Sequence, residues 1–519
     1  MAEERKSLLY AFKPIIERWP AVAKPEGHVH FRTKIFWTLL CLGLYFLLTN
    51  VMLYGVSGQT LDMFAGFRAI LAGASGSVVH LGIGPIVTAS IIMQLFTGAK
   101  IINLDLTKSE DKAIYQGFQK ILVLVMIVVE AVPQVYGYLR PDAAFVAAVG
   151  DGGAKTLIIL QLIIGALIVF LMDETISKWG IGSGISMFIA AGVSQAVVTG
   201  TLSWLPEKAG TALSIANPPA GCVPRSIYLW DNMSLSQIVH GGGFERIFIG
   251  SQNAILPLLG TIAIFMFVVY FESARIELPL AHTKARGARG RYPIRLIYAS
   301  NIPVILVATL LANVNMFALL LYTNPALSKI PGIGKAWWIG AYDTAAGSTT
   351  PIAGGAWYLS TPSGVQSWLL PLISPERYGA YLTDHAPWQM AIRIFIYLAV
   401  MIGGSIMFAK FWIETTNMGP EDVAKQIQSS GMQIPGFRRD PRVLKKILSR
   451  YIPVVTVIGG ATVGALAALA DLIGTVGNAS GTGVLLTVGI IIRLYEQIAK
   501  EQAMEMHPVL RGFFGAGEA

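Results

Sequence analysis

Ten apolar runs divide the chain, at about 35–54, 83–98, 121–138, 156–172, 183–200, 254–271, 296–322, 388–413, 452–473 and 482–498. Most approach the ~20 residues a helix needs to cross a hydrocarbon core of roughly 30 Å. A transmembrane β-barrel would instead alternate polar and apolar residues within strands of about ten residues. Only 13% of residues are charged and 54% are hydrophobic, and that charge content is about half of a soluble domain's. The runs predict an all-α polytopic membrane protein with ten transmembrane helices.

Two pairs of short motifs repeat in order. Gly84-Pro85-Ile86-Val87 is followed by Gly182-Ser183-Gly184-Ile185, and Ile302-Pro303-Val304-Ile305 by Gly481-Thr482-Gly483-Val484. Each pair falls in a set of five runs. An odd number per set makes the second copy enter the membrane from the opposite face, as in an inverted repeat, and such repeats place their passages at the seam. The expected organisation is two pseudo-symmetric halves, 35–200 and 254–498, with an N-terminal segment 1–34 and a tail 499–519. Two long segments, 201–253 and 324–386, fall on one side and are rich in Gly, Pro, Trp and Ser. Between Leu61 and Leu71, apolar residues Leu61, Phe64, Phe67, Ile70 and Leu71 have helical spacing but are too few to span. This segment fits either a half-inserted helix before a broken second run or an interfacial loop helix.

Lys and Arg set the orientation. With the N-terminus inside, inner segments hold 29 of the 39 basic residues and outer segments 10. Both termini are therefore expected in the cytoplasm, and the net charge of +9 needs no nucleic acid to explain it. Cys41 lies in an apolar run and Cys222 in a polar loop, so no disulfide framework is expected. Residues 1–33 are charged and do not read as a cleavable signal peptide.

No catalytic or metal-binding constellation stands out, and no phosphate loop or other cofactor motif is present. Basic residues crowd two inner loops: Arg275, Lys284, Arg286, Arg289, Arg291 and Arg295 in one, Arg438, Arg439, Arg442, Lys445 and Lys446 in the next. Positive-inside bias accounts for part of this. Docking to RNA phosphates or anionic head groups also fits. Aliphatic residues follow the Pro and Gly motifs. Brought together at the seam they would form a soft, dewetting neck, and ordinary helix packing explains them equally well. Glu130 lies midway along its run, where a lone acid must face a partner or cavity. Thr88 and Asn313, on the Pro-marked helices, are candidate partners. A secondary transporter would need a polar midplane site, and an intramembrane enzyme a His or Asp constellation. Both are alternatives to a channel.

The run Leu81-Gly82-Ile83-Gly84-Pro85-Ile86-Val87-Thr88 resembles the second helix of the SecY family of protein-conducting channels. Lys178 to Ile185, Tyr298 to Ile305, Glu414-Thr415-Thr416, Ser480 to Leu486 and Tyr495-Glu496-Gln497 are similar to later family segments, in order. Glu277-Leu278-Pro279-Leu280-Ala281-His282 resembles the archaeal branch. The resemblance implies a pore-forming translocon subunit in the cell membrane. It would pass unfolded preproteins across and release transmembrane segments sideways into lipid. It further implies a pore ring of Ile83, Val87, Ile185, Ile189, Ile305 and Leu486. A plug, about 61–75, would include Phe67, Ile70 and Leu71, and a lateral gate Thr88, Glu130 and Asn313. Arg286, Arg289 and Arg438 would dock partners, and the interfacial helix would lie near 8–18. Implied partners are a SecE-type gamma subunit, a small beta subunit, the ribosome, the signal-recognition machinery and membrane lipid. The two long outer segments exceed the family's usual length.

Overall fold

A computed structural model describes residues 8–18, 21–27, 29–57, 71–98, 101–102, 104, 108–137, 139–207, 212–250, 253–282, 289–296, 301–323, 338–343, 350–362, 364–382, 385–416, 418–429, 432–433, 441–477 and 479–506. Ten principal helices match the apolar runs: α1 (Phe31–Thr49), α2 (Gly84–Gly98), α3 (Ser109–Gly137), α4 (Asp151–Trp179), α5 (Gly184–Leu202), α6 (Ile255–Ser273), α7 (Ile302–Thr323), α8 (Pro387–Thr415), α9 (Pro441–Ile473) and α10 (Gly481–Met506). Among the described residues, nine helices are long and apolar enough to cross a membrane, and Gly84–Thr97 is apolar but shorter.

Several helices outrun their apolar segments. α3 begins twelve residues before its run, with Glu110 and Asp111 in the first turn, where acids complement the exposed N–H groups. α9 opens on Pro441, whose fixed φ suits the first turn. Its early residues Leu444, Leu448 and Ile452 repeat every fourth position. They pack on Val423, Ala424 and Ile427 of the short helix Pro420–Ser429. α1 stops early, at Thr49 rather than near residue 54, because the chain turns back there. Leu53 N–H donates to the Gly76 carbonyl at 2.8 Å, and Val78 N–H to the Val51 carbonyl at 2.9 Å.

Among the described residues the strands form two small sheets. Strands β1 (Arg275–His282) and β2 (Arg289–Arg295) form an antiparallel hairpin. β3 (Ala341–Tyr342) pairs β4 (Pro351–Ala353) in one outer segment. β5 (Met432–Gln433) adds to β1 through Ala281↔Gln433 and His282↔Met432. The hairpin register pairs Ile276 with Ile294 and Leu278 with Tyr292. That is the period-two pattern of a strand pair, present in the sequence beneath the clustered arginines. In the N-terminal segment, a 3-10 turn (Leu8–Phe12) leads into the helix Lys13–Arg18. Leu9 there packs with Met93 and Ile114.

The two halves touch along two seams. α2 packs on α7 and α8, and α3 on α7. On the other seam α5 and α1 pack on α10. Lipid removes the hydrophobic drive between helices, so close contact and small residues do the work. Gly460 and Gly464 let α9 lie on α8; a Cβ at Gly464 would sit 2.7 Å from the Met401 carbonyl oxygen. Across the second seam, Gly477 has φ +79° and lies so near α5 that a Cβ would strike the Ala196 carbonyl. Ion pairs also tie α10 to both halves. Glu496 meets Arg295 at 2.7 Å, Arg493 meets Glu272 at 3.3 Å, and Glu501 meets Lys34 of α1 at 2.7 Å.

Gly477→Ala should therefore pry at the α5–α10 seam. Overpacking plus an unsuitable φ should cost about 1–3 kcal/mol or more, read as a lower thermal midpoint of the detergent-solubilised protein. An unchanged midpoint would contradict the packing described.

Candidate functional site: the seam between the halves

Three helix starts are buried all round. Residues 81–89, 303–309 and 481–490 are buried without interruption, as expected for helices enclosed by protein rather than facing one surface. The six aliphatic residues expected to form a ring lie in one apolar cluster. Ile83, Ile189 and Leu486 are fully buried, and Val87 and Ile305 nearly so. Ile185 is half-buried and packs against the same cluster. Val87, Ile185 and Ile305 also line a cavity of about 450 Å³ bounded by α2, α3, α5, α7 and α8. The rest of its wall mixes polar residues such as Ser90, Gln94, Gln119 and Thr415 with apolar Ile302, Leu306 and Trp412. The cavity wall is thus mostly apolar, and both halves contribute aliphatic carbons to it.

Beside this cluster a polar chain crosses the first seam. Asn313 Nδ2 on α7 donates to Thr88 Oγ1 on α2 at 3.0 Å. The Thr88 hydroxyl reaches Glu130 Oε1 on α3 at 2.8 Å and the Gly84 carbonyl at 2.9 Å. One hydroxyl has one proton, so these two oxygens share it. Gln134, one turn along α3, lies 4.0 Å from the Met316 sulfur on α7. The three residues expected at a lateral gate are therefore bonded to one another, in the order Asn313, Thr88, Glu130.

Of the expected plug residues, Phe67 and Ile70 lie outside the described residues. Leu71 is buried in the apolar cluster, and its carbonyl accepts the Ile83 N–H at 2.8 Å. Tyr45 on α1 donates to the Ala72 carbonyl at 3.0 Å. The described part of the expected plug thus docks on α1 and on the start of α2. Of the docking residues, Arg286 and Arg438 also lie outside the described residues, and Arg289 is the first residue of β2. The β1–β5 pairing places His282 beside Met432, so the two basic loops leave from adjoining points of one sheet.

Sequence reasoning missed two acids. Asp173 on α4 and Asp471 on α9 each bond the start of the next helix. Their signal was positional, since each precedes its Gly-hydroxyl-Gly motif by about ten residues. Among the described residues no group of acids, His and Cys could hold a metal ion.

The fold and the seam define a polytopic helical membrane protein whose halves meet around a buried aliphatic cluster beside a cavity lined by both halves. The family model described as SecY matches residues 77–495, and the one described as the plug domain of Sec61p matches residues 44–76. The protein translocase subunit SecY of Archaeoglobus fulgidus is 46% identical over 514 residues, covering 98% of this chain and 99% of that protein. The same subunit of Halobacterium salinarum is 45% identical, again over 98% and 99%. A solved structure described as "The structure of a protein conducting channel" has a TM-score of 0.75 at 38% identity, covering 96% of this chain and 98% of its own. One described as "Sec61 in the Canine ribosome-channel complex from the endoplasmic reticulum" has a TM-score of 0.72 at 37% identity, with the same coverage. The chain belongs to the SecY family.

A double-mutant cycle of Thr88→Val and Asn313→Leu tests the cross-seam bond. Coupling of about 0.6–2 kcal/mol is expected in thermal unfolding, the range for interhelical hydrogen bonds in membranes. Strict additivity would show that the two side chains do not interact.

Proposed function

We propose that this chain is the pore-forming subunit of a protein translocon. It conducts unfolded preproteins through the aliphatic neck and releases apolar segments through the α2/α3–α7/α8 seam into lipid. The observation that carries this reading is the cavity lined by Val87, Ile185 and Ile305, one residue from each of three helices and from both halves. Aliphatic side chains form no directional bonds, so a neck built from them can close against water and ions and widen around any passing sequence. A secondary transporter would put a polar substrate site at this depth, whereas the wall of this cavity is mostly apolar.

The seam supplies the second exit. An apolar segment held in the neck lies beside the Asn313–Thr88–Glu130 chain, and separating α2 from α7 breaks that chain. Partition then decides the outcome, because about 20 apolar residues favour lipid over water. The segment about 61–75 acts as the plug, and its Leu71 accepts one backbone bond from Ile83 at the start of α2. Arg286, Arg289 and Arg438 dock the ribosome. The shared sheet at the base of their loops supports a joint surface, and the match to a ribosome-bound channel supports the partner. The protein works in the cell membrane with both termini in the cytoplasm, as the 29-to-10 division of basic residues favours. A SecE-type gamma subunit, a small beta subunit and the signal-recognition machinery complete the assembly.

Cysteines at Val87→Cys and Ile305→Cys should both crosslink to a stalled nascent chain, whereas an absence of crosslinks would favour a transporter. Asn313→Leu removes a bond that holds the seam closed. It should let marginally apolar segments integrate at a hydropathy about 0.6 kcal/mol less favourable, read as glycosylated against integrated fractions in an insertion assay. An unchanged threshold would remove Asn313 from the gate.

A further inference from the structure

α5 and α10 begin at buried glycines, Gly184 and Gly481. The first four N–H groups of any helix lack partners within it, and hydrocarbon offers none. In both helices an acid from the preceding helix supplies the acceptor. Asp173 Oδ1 accepts the Ile185 N–H at 2.8 Å. Asp471 Oδ1 accepts the Thr482 N–H at 3.1 Å, and its Oδ2 accepts the Thr482 hydroxyl at 2.7 Å. Tyr397 of α8 adds its hydroxyl at 2.7 Å, so one carboxyl gathers three helices.

Sterics reinforce the bonds. A Cβ on Gly184 would lie 2.5 Å from the Asp173 Cα, and one on Gly481 would strike the Ala470 backbone. Each helix start is therefore pressed against, and bonded to, the helix before it. The same device occurs at the same place in both halves. α2 and α7 are held differently. The start of α2 hangs on the backbone bond from Ile83 to Leu71. At the start of α7, the buried Asn301 amide has no hydrogen-bond partner among the described residues.

We propose that Asp173 and Asp471 are positioning residues of the neck. They fix Ile185 and Ile189 on one side and Leu486 on the other as stationary walls, so that α2 and α7 carry the widening. This rests on the reading of the aliphatic cluster as the passage. Asp173 presents one bonded oxygen to a backbone N–H, so an amide oxygen can replace it. Asp471 uses both oxygens, so an amide there replaces only part of the set.

The test is resting ion leak of the channel complex, purified with its native membrane partners and reconstituted in planar bilayers. Asp173→Ala and Asp471→Ala should leak several-fold more than the unsubstituted complex. Asp173→Asn should restore the seal, and Asp471→Asn should leave an intermediate leak. Leu448→Ala, a cavity in the separate cluster around α9 and Pro420–Ser429, lowers stability without touching the neck and should not leak. Where Asp173→Ala fails to accumulate, Asp173→Glu serves instead. It keeps the acceptor but lengthens the arm by a methylene, so it should leak if the acid sets the helix start. Leak no greater than in Leu448→Ala, or equal leak from the Asn and Ala variants at 173, would overturn the proposal. Nascent-chain crosslinks at Val87→Cys separate the two failures. Crosslinks without leak would discard only the positioning role, and missing crosslinks would discard the neck itself.

Discussion

A helix that starts inside a membrane protein must find acceptors for its first N–H groups, and the rest of this structure depends on how that demand is met. Unsatisfied backbone groups in hydrocarbon cost several kcal/mol each, so an interior start survives only where protein supplies oxygens. Here the acids of α4 and α9 supply them to α5 and α10. At α10 the Ser480 hydroxyl adds a further cap, accepting the Gly483 N–H at 3.0 Å, and the first turns of both helices still bear aliphatic side chains at the seam. Without that arrangement, Ile185 and Leu486 would have no reason to share a cluster with Val87 and Ile305.

The polar and apolar parts of the seam have opposite energetic characters. The aliphatic cluster is non-directional and tolerates displacement with graded loss of contact. The Asn313–Thr88–Glu130 chain is directional, and stretching it by an ångström breaks it. A channel that must stay sealed yet open on two routes uses both kinds. In the proposed reading, compliance lies along the pore axis and a breakable latch lies across the lateral exit. The ion pairs of α10 with Lys34 and Arg295 sit apart from that latch, and they join α1 to the hairpin that carries Arg289.

The sequence was most legible where one physical rule dominates. Apolar length located all ten helices, and the Pro and Gly motifs marked the interior starts at α2, α5, α7 and α10. Helix ends were read less well, because amphipathic extensions such as Leu444, Leu448 and Ile452 continue a helix beyond the hydrocarbon that hydropathy detects. The β1–β2 hairpin escaped notice because its arginines drew attention to charge and away from the alternation of Ile276 and Leu278. Asp173 and Asp471 escaped because each sits at the end of an apolar run, where an acid reads as an ordinary boundary. Each bonds a backbone N–H, which leaves no trace in side-chain patterns, and Asp471 adds the hydroxyls of Thr482 and of Tyr397 on α8. Glu130, alone in mid-run, could not be overlooked, since an acid there demands a partner.

The central claim is that polypeptides pass between the halves through the aliphatic cluster. A structure of the assembled complex holding an arrested preprotein tests it most directly. The account predicts continuous extended density threading the space bounded by α2, α5, α7 and α10, in contact with Ile83, Val87, Ile305 and Leu486. Density that leaves this cluster closed and follows another path, through the lipid-facing side of one half or between two copies of the channel, would contradict it.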